Sequence, residues 1–326
     1  MVSGWRMLGR LVIPPAGAQE EGAPPGPSGS VYEVAVSVSL PPAPAVTVVF
    51  VTYNSGAVIA HAVESVPADC AVVIVDNASP EGTPWREGLA RPADFVALPA
   101  NAGFGTACNA GARRATTPYV LFLNPDAVLA PDAVARLLAA ASAYGDPAIL
   151  MPAIVGENGR LMRKEGSILE KVQRGQRLQP EEIAGDFCTR FVHGAAFMMA
   201  REAFLALGGF DEAIFLYHED DDLSLRAMAR HIPIVVVTQA RVTHAGGRSS
   251  APSFRHTFRV NRAKMHSELY VLAKYGRSRP RAARLAWLGA GCLLAACCLD
   301  AHRLAIRAGK IAGVIDGVRR NPSSSV

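Results

Sequence analysis

Nothing in the 326 residues reaches the roughly 20 consecutive apolar positions that a membrane-crossing helix needs. The nearest stretch, Leu285 to Leu299, stops at 15 residues between Arg284 and Asp300. The N-terminal residues do not read as a secretory leader, since Arg6 and Arg10 precede only a short, broken apolar run before Pro14 and Pro15. The six cysteines, at positions 70, 108, 188, 292, 297 and 298, include no CxxC pair and no regular spacing, so they read as reduced cytosolic thiols. No internal repeat is present. The dinucleotide fingerprint is incomplete: the turn Gly103-Phe104-Gly105 would need its third glycine where the chain has Cys108, and it follows the third strand-like run instead of the first. That argues against a Rossmann dehydrogenase. No Gly-rich, Arg- and Lys-bearing triphosphate loop opens the domain either, which argues against a nucleotidyltransferase.

Half of the residues are hydrophobic, enough to bury one substantial core and a small annex. The net charge of +5 hides an asymmetry. Residues 1–240 carry 17 Lys and Arg against 25 Asp and Glu, whereas residues 241–326 carry 16 against 3, so the two parts stand at −8 and +13. A basic tail suits nucleic acid or an anionic membrane. Only Phe254, Phe258, Tyr270, Tyr275 and Trp287 are there for stacking, and the adjoining apolar stretch favours membrane over nucleic acid.

Residues 1–44 are rich in Pro, Gly, Ser and Ala and read as a flexible leader, within which Val31 to Leu40 has strand character. From Val46 the texture becomes alternating strand and helix. Apolar runs at Val46 to Tyr53, Ala71 to Val75, Phe95 to Leu98, Tyr119 to Leu123 and Ile149 to Val155 read as strands. Segments 57–66, 106–115 and 131–143 read as the helices between them. Strands that are apolar throughout and separated by helices indicate an α/β fold, a mostly parallel sheet covered on both faces. Residues 156–186 are charged and poorly periodic and read as a mobile connection near the site.

The most informative feature is the run Glu219-Asp220-Asp221-Asp222, because four adjacent carboxylates repel one another unless a cation or proton relieves them. It reads as a catalytic or metal-proximal site, or as a solvated helix N-terminus in which Asp222 caps the helix and pairs with Arg226 at i+4. Upstream, Leu121-Phe122-Leu123 runs straight into Asn124-Pro125-Asp126. Thr52-Tyr53-Asn54 and Asp76-Asn77 likewise end strands, where an α/β sheet binds a nucleotide. Asn101 to Asn109 adds a glycine turn entering a helix, suited to close approach by phosphate or ribose.

Taken in order, Val51-Thr52-Tyr53-Asn54, Val75-Asp76-Asn77-Ala78-Ser79, Asn101-Ala102-Gly103-Phe104-Gly105, Leu123-Asn124-Pro125-Asp126 and Glu219-Asp220-Asp221-Asp222-Leu223 resemble family 2 glycosyltransferases. The resemblance covers about residues 46–250 and is closest to the rhamnosyltransferase and galactofuranosyltransferase-like branch. It implies a GT-A fold and inverting transfer from a nucleotide-diphosphate sugar to a saccharide or lipid-linked glycan acceptor. It further implies a donor site of Thr52, Tyr53, Asn54, Asp76, Asn101, Gly103, Phe104, Asn109 and Asn124, with Asp76 on the nucleobase. Mg2+ or Mn2+ would sit at Asp126 and His244, where the position of the first acidic ligand is held by Asn124, an uncharged donor. Asp220 matches the catalytic base, which like-charge neighbours would help to take up a proton. His193, Glu219 and Asp222 would line the acceptor side. The expected donor is dTDP-L-rhamnose, with UDP-sugar galactofuranosyl or hexosyl transfer and a non-catalytic nucleotide-sugar-binding scaffold as the other readings.

The tail, residues 251–326, is expected to be helical. Leu304, Ile311, Ile315 and Val318 recur at near-helical spacing beside Arg303, Arg307, Lys310 and Arg319, as in a helix lying on an anionic leaflet or packed on the catalytic domain. The first alternative predicts a cytoplasmic enzyme held on the inner face of the membrane.

Overall fold

All seven residues of Val46–Thr52 are buried, and a β-branched strand with no solvent side belongs in the middle of a covered sheet. This strand, β1, lies between β2 (Ala71–Asp76) and β4 (Tyr119–Leu123), with β3 (Asp94–Ala97) beyond β2, all parallel. The computed structural model describes residues 44–156, 158–162, 168–169, 185–245, 253–277 and 280–319. The leader and most of the segment 156–186 lie outside them.

Alternation along β1 divides the core. Val46, Val48 and Phe50 join a cluster with α1 (Ile59–Glu64) and α3 (Ala133–Tyr144). Val49 and Val51 face α2 (Phe104–Arg114), α4 (Arg201–Ala206) and α5 (Glu219–Ala229). The helices therefore cover both faces, as expected for this fold class.

Beyond β4 the sheet is mixed. The strand β8 (Ala196–Ala200) runs antiparallel to both β4 and β6 (Ile149–Val155). Next, β9 (Ile234–His244) runs parallel to β6, while the short β5 (Ala127–Leu129) and β7 (Phe187–Thr189) pair antiparallel with it. The order is β3-β2-β1-β4-β8-β6-β9-β5, with β7 also on β9. The mostly parallel sheet expected is present, with β3, β2, β1 and β4 parallel and β6 parallel to β9, and the antiparallel pairs are those of β8, β5 and β7. Ala196–Ala200 is buried at every position, and an unbroken apolar run carries no mark of strand direction. The reversals have one consequence for chemistry. The carboxyl ends of β1, β2, β4 and β9 and the amino end of β8 all lie at the same edge of the sheet.

Three helices follow: α6 (Phe254–Lys274), α7 (Arg281–Cys297) and α8 (Ala301–Arg319). They belong to one compact unit with the sheet, residues 43–326. The helix α6 is tied to the segment entering α5 by ion pairs from Lys274 to Asp211 (2.6 Å) and Asp222 (2.7 Å), and by Tyr275 donating to Asp222 Oδ1 (2.9 Å). The apolar stripe of α8 is divided between packing and solvent. Val314 is fully buried against Met265 and Leu288, Ile311 packs beside them, and glycines 309 and 313 lie where a Cβ would strike α6 backbone carbonyls at 2.4 and 2.6 Å. The face of α8 that carries Gly309, Ile311, Gly313 and Val314 is therefore a packing surface for α6. Ile315 remains exposed, and the side chain of Val318 falls outside the described residues.

Asp222, with no side-chain exposure, also pairs with Arg226 at 2.7 Å. Removing one partner of a buried ion network strands the others. We expect Asp222→Ala to lose about 2–3 kcal/mol of stability in denaturant titration, and an unchanged midpoint would show that the network contributes nothing.

Candidate active site

Strand register assembles the site. Pairing of Ala127 with His244 sets Asp126 beside that histidine, and Ala245 N donates to the Asp126 carbonyl at 3.1 Å. Pairing of Leu123 with Ala196 brings the His193–Ala195 turn to Asn124, whose N–H donates to Ala195 O at 2.9 Å. The two imidazoles stand edge to face with centroids 6.3 Å apart.

His244 Nε2 lies 3.1 Å from Asp126 Oδ1 and 3.4 Å from the Asn124 amide. The carboxylate only accepts, so an Nε2 that carries the proton donates to it, and the Asn124 neighbour, Nδ2, is itself a donor and accepts nothing from Nε2. Asp126 and His244 side chains are 6% and 10% exposed. The other imidazole nitrogen, Nδ1, is buried without a partner among the described residues.

These donors fit a hard divalent ion in part. Two ligands bound at about 2.1 Å on adjacent octahedral positions stand about 3 Å apart, close to the observed spacing. Among the described residues, however, no three His, Cys, Asp or Glu side chains are grouped to hold a metal. One carboxylate, one imidazole and one amide suit an ion that completes its shell from diphosphate and water.

The four carboxylates at the start of α5 have different surroundings. Glu219, Asp221 and Asp222 are buried. Asp221 accepts from Ile168 N at 2.9 Å and contacts His218 Nδ1 at 2.7 Å, and Asp222 has the partners described above. The crowding expected from sequence is thus relieved at two of the four by local partners. Asp220 alone of the four is half-exposed, and it lies along the His193–Ala195 turn: a Cβ on Gly194 would stand 3.9 Å from its Oδ2. The backbone leading there is unusual, with Tyr217 and His218 both at positive φ, 62° and 69°. Such conformations cost energy in non-glycine residues and recur at functional sites. His218, which reads as structural from sequence, is buried with its Nδ1 on Asp221.

On the other flank, Asp76 accepts from Thr52 Oγ1 (3.2 Å), Ser79 N (3.1 Å) and Ser79 Oγ (2.5 Å). Ser79, absent from the expected site, is legible as a side chain closing a turn three residues after an Asp. Thr52 is fully buried and acts on Asp76, while Tyr53 is exposed and Asn54 takes a left-handed turn at φ 54°. Asn77, buried, donates to Asn101 Oδ1 (3.0 Å) and Gly103 O (3.2 Å) and accepts from Ala102 N (2.9 Å), so it shapes the turn before α2.

Two expected site residues, Asn109 on the donor side and Asp222 on the acceptor side, do not face an open site. Asn109 is buried, its amide engaged by Phe210 N (2.8 Å) and Phe210 O (2.9 Å), because the segment before α5 crosses the helix there. Asp222 is enclosed by Arg226, Lys274 and Tyr275 and anchors α6. Gly103 has φ 93°, and a Cβ there would lie 2.2 Å from Phe215 O. Gly103→Ala should therefore lose about 2 kcal/mol or more in thermal or chemical unfolding, and wild-type stability would refute the close approach.

Residues 47–208 match the family described as glycosyl transferase family 2. The chain is also 30% identical over 234 residues to the N-acetylglucosaminyl-diphospho-decaprenol L-rhamnosyltransferase of Mycobacterium tuberculosis, strains CDC 1551 and H37Rv, across 60% of this chain and 75% of that protein. The chain belongs to glycosyl transferase family 2. Its fold is similar to the mannosyltransferase PcManGT from Pyrobaculum calidifontis, in complex with GDP-Man and Mn2+ (TM-score 0.50, 19% identity, covering 84% of this chain and 87% of that one). It is similar also to S. aureus TarS 1-349 in complex with UDP-GlcNAc (TM-score 0.50, 15% identity, covering 84% and 91%). This family 2 glycosyltransferase therefore has the GT-A fold, and its site-bearing strand ends occupy the edge where α/β sheets place ligands.

Proposed function

We propose that this glycosyltransferase moves L-rhamnose, with inversion, from a nucleotide-diphosphate donor of the dTDP type to a lipid-linked glycan acceptor. The observation that carries the donor and acceptor classes is the 30% identity over 234 residues to an enzyme named for rhamnosyl transfer onto N-acetylglucosaminyl-diphospho-decaprenol. The site geometry supports the mechanism. Asp220 takes the proton of the acceptor hydroxyl, that oxygen bonds to the anomeric carbon, and the bond from the sugar to the diphosphate breaks on the opposite face. Asp126 and His244, with the Asn124 amide, would hold a divalent ion, which supplies positive charge beside the leaving diphosphate. Imidazole among the ligands favours Mn2+ over Mg2+ in that role.

On the donor side, the 76–79 and 101–103 turns hold the nucleoside, with Asp76 fixed by Thr52 and Ser79 so that its remaining lone pairs can accept from the base. A panel of dTDP-rhamnose, UDP-galactofuranose, UDP-GlcNAc and GDP-mannose, each offered with a polyprenyl-diphospho-GlcNAc acceptor and Mn2+ or Mg2+, tests this reading. Release of dTDP with product formation is expected. Turnover of a UDP-sugar in preference would replace the donor assignment.

A further inference from the structure

The apolar residues of α7 lie on two faces, of which only one meets the neighbouring helices. Leu288 and Ala295 face inward and are buried. Gly291 lies where a Cβ would stand 2.9 Å from Arg307 of α8. Ala286, Trp287, Ala290, Leu293, Leu294 and Cys297, spaced at intervals of one, three or four, form the opposite, exposed face. Trp287 is 63% exposed, Leu293 71% and Leu294 67%, and Leu299 at the helix end is 91% exposed with φ 52°. A contiguous apolar face of this kind marks an interaction surface.

Its surroundings are cationic. Arg281 begins the helix, Arg307 stacks on the Trp287 ring at 4.3 Å, and Lys310 and Arg284 line a crevice of about 440 Å³ beside Trp287. Acidic groups nearby are Glu268, paired with Arg284 at 2.8 Å, and Asp300, paired with Arg303 at 3.2 Å. Residues 241–326 as a whole carry +13. Burial of Lys310 holds its ammonium below the usual lysine range, an effect opposed by Glu268 and aided by Lys264, Arg307 and Arg284. Basic side chains at Arg281, Arg284, Arg307 and Lys310 beside exposed Trp and Leu match a surface with anionic headgroups above hydrocarbon, although the crevice wall itself is mostly apolar and includes Glu268.

We infer that the exposed face of α7, with Trp287, Leu293 and Leu294 at its centre and Leu299 just past its end, docks on an anionic phospholipid bilayer and lies in its interfacial layer. With 17 residues the helix is about 25 Å long, short of the hydrocarbon thickness, and no helix among the described residues is long and apolar enough to cross. The inference deepens the proposed function, because a surface attachment of this kind brings the site to a lipid-linked acceptor. It places the contact on α7, within the Leu285 to Leu299 stretch that favours membrane in the sequence, while Ile311 and Val314 of α8 pack on α6.

The test uses the full chain and a variant carrying Trp287→Ser, Leu293→Ser and Leu294→Ser, all exposed positions away from the catalytic machinery. Wild type should sediment with phosphatidylglycerol-containing vesicles, at least about tenfold more weakly with pure phosphatidylcholine and in raised salt, and the variant should lose about tenfold or more on the anionic vesicles. Equal sedimentation of both proteins, or none of wild type, overturns the inference. A wild-type dimer in analytical ultracentrifugation that the variant loses would assign the face to a second copy and overturn it as well. Sugar-nucleotide turnover on a water-soluble acceptor, measured on both proteins, separates this outcome from failure of the glycosyltransferase assignment, since it does not depend on vesicles.

Discussion

Asp220→Asn is expected to fold as wild type and bind the donor with unchanged affinity, yet turn over about a hundredfold more slowly or worse, a barrier increase of about 2.7 kcal/mol. The reason lies in what the four adjacent carboxylates touch. Asp222 is bound to Arg226, Lys274 and Tyr275, and Asp221 to His218 and Ile168, while Glu219 is buried. Asp220 is the half-exposed member, alongside the His193–Ala195 turn at the edge where the strand ends converge. Asparagine keeps the oxygen that accepts from Asp221 N at 2.9 Å, so helix α5 retains its start. What it loses is the ability to accept the acceptor's proton. Turnover by the purified variant within about threefold of wild type would remove Asp220 from the mechanism.

A larger loss on the donor side is expected at Asp126. Asp126→Ala should abolish the metal dependence of nucleotide-sugar binding, because the remaining imidazole and amide carry no negative charge to hold a hard cation. Asn124→Asp should do the opposite: a second carboxylate 3.4 Å from His244 Nε2 strengthens metal-dependent binding. Calorimetric titration with donor, with and without Mn2+, measures both. Equal metal dependence in wild type and Asp126→Ala would assign the ion to other residues, and a weakened Asn124→Asp would point to a steric role for the amide.

Several of these features were legible along the chain. Unbroken apolar runs at Val46 to Thr52 and Tyr119 to Leu123 announce covered strands, and their polar successors, Asn54 and Asn124 to Asp126, announce chemistry at one edge of the sheet. The acidic run announced a site because adjacent like charges require a local reason. The placement of β5, β7, β8 and β9 was not legible, since buried strands such as Ala196–Ala200 show no alternation from which pairing partner or direction could be read. The Asp222–Arg226 pair at i+4 was legible, but the other partners of the acidic run, up to 53 residues away at Ile168 and Tyr275, were not.

The sequence by itself determined what is periodic or contiguous: the α/β class, the strand ends that carry polar groups, the charge asymmetry and the helical tail. Tertiary structure decided everything that depends on register and on which face is covered. Register alone set His244 beside Asp126, 118 positions apart. Packing turned Ile311 and Val314 of α8 onto α6 and left one face of α7 open, because glycines 309 and 313 allow α8 to approach α6 closely. It also left Asp220 reachable while enclosing Asp222, a distinction set by the position of α6, which no local pattern in the acidic run encodes.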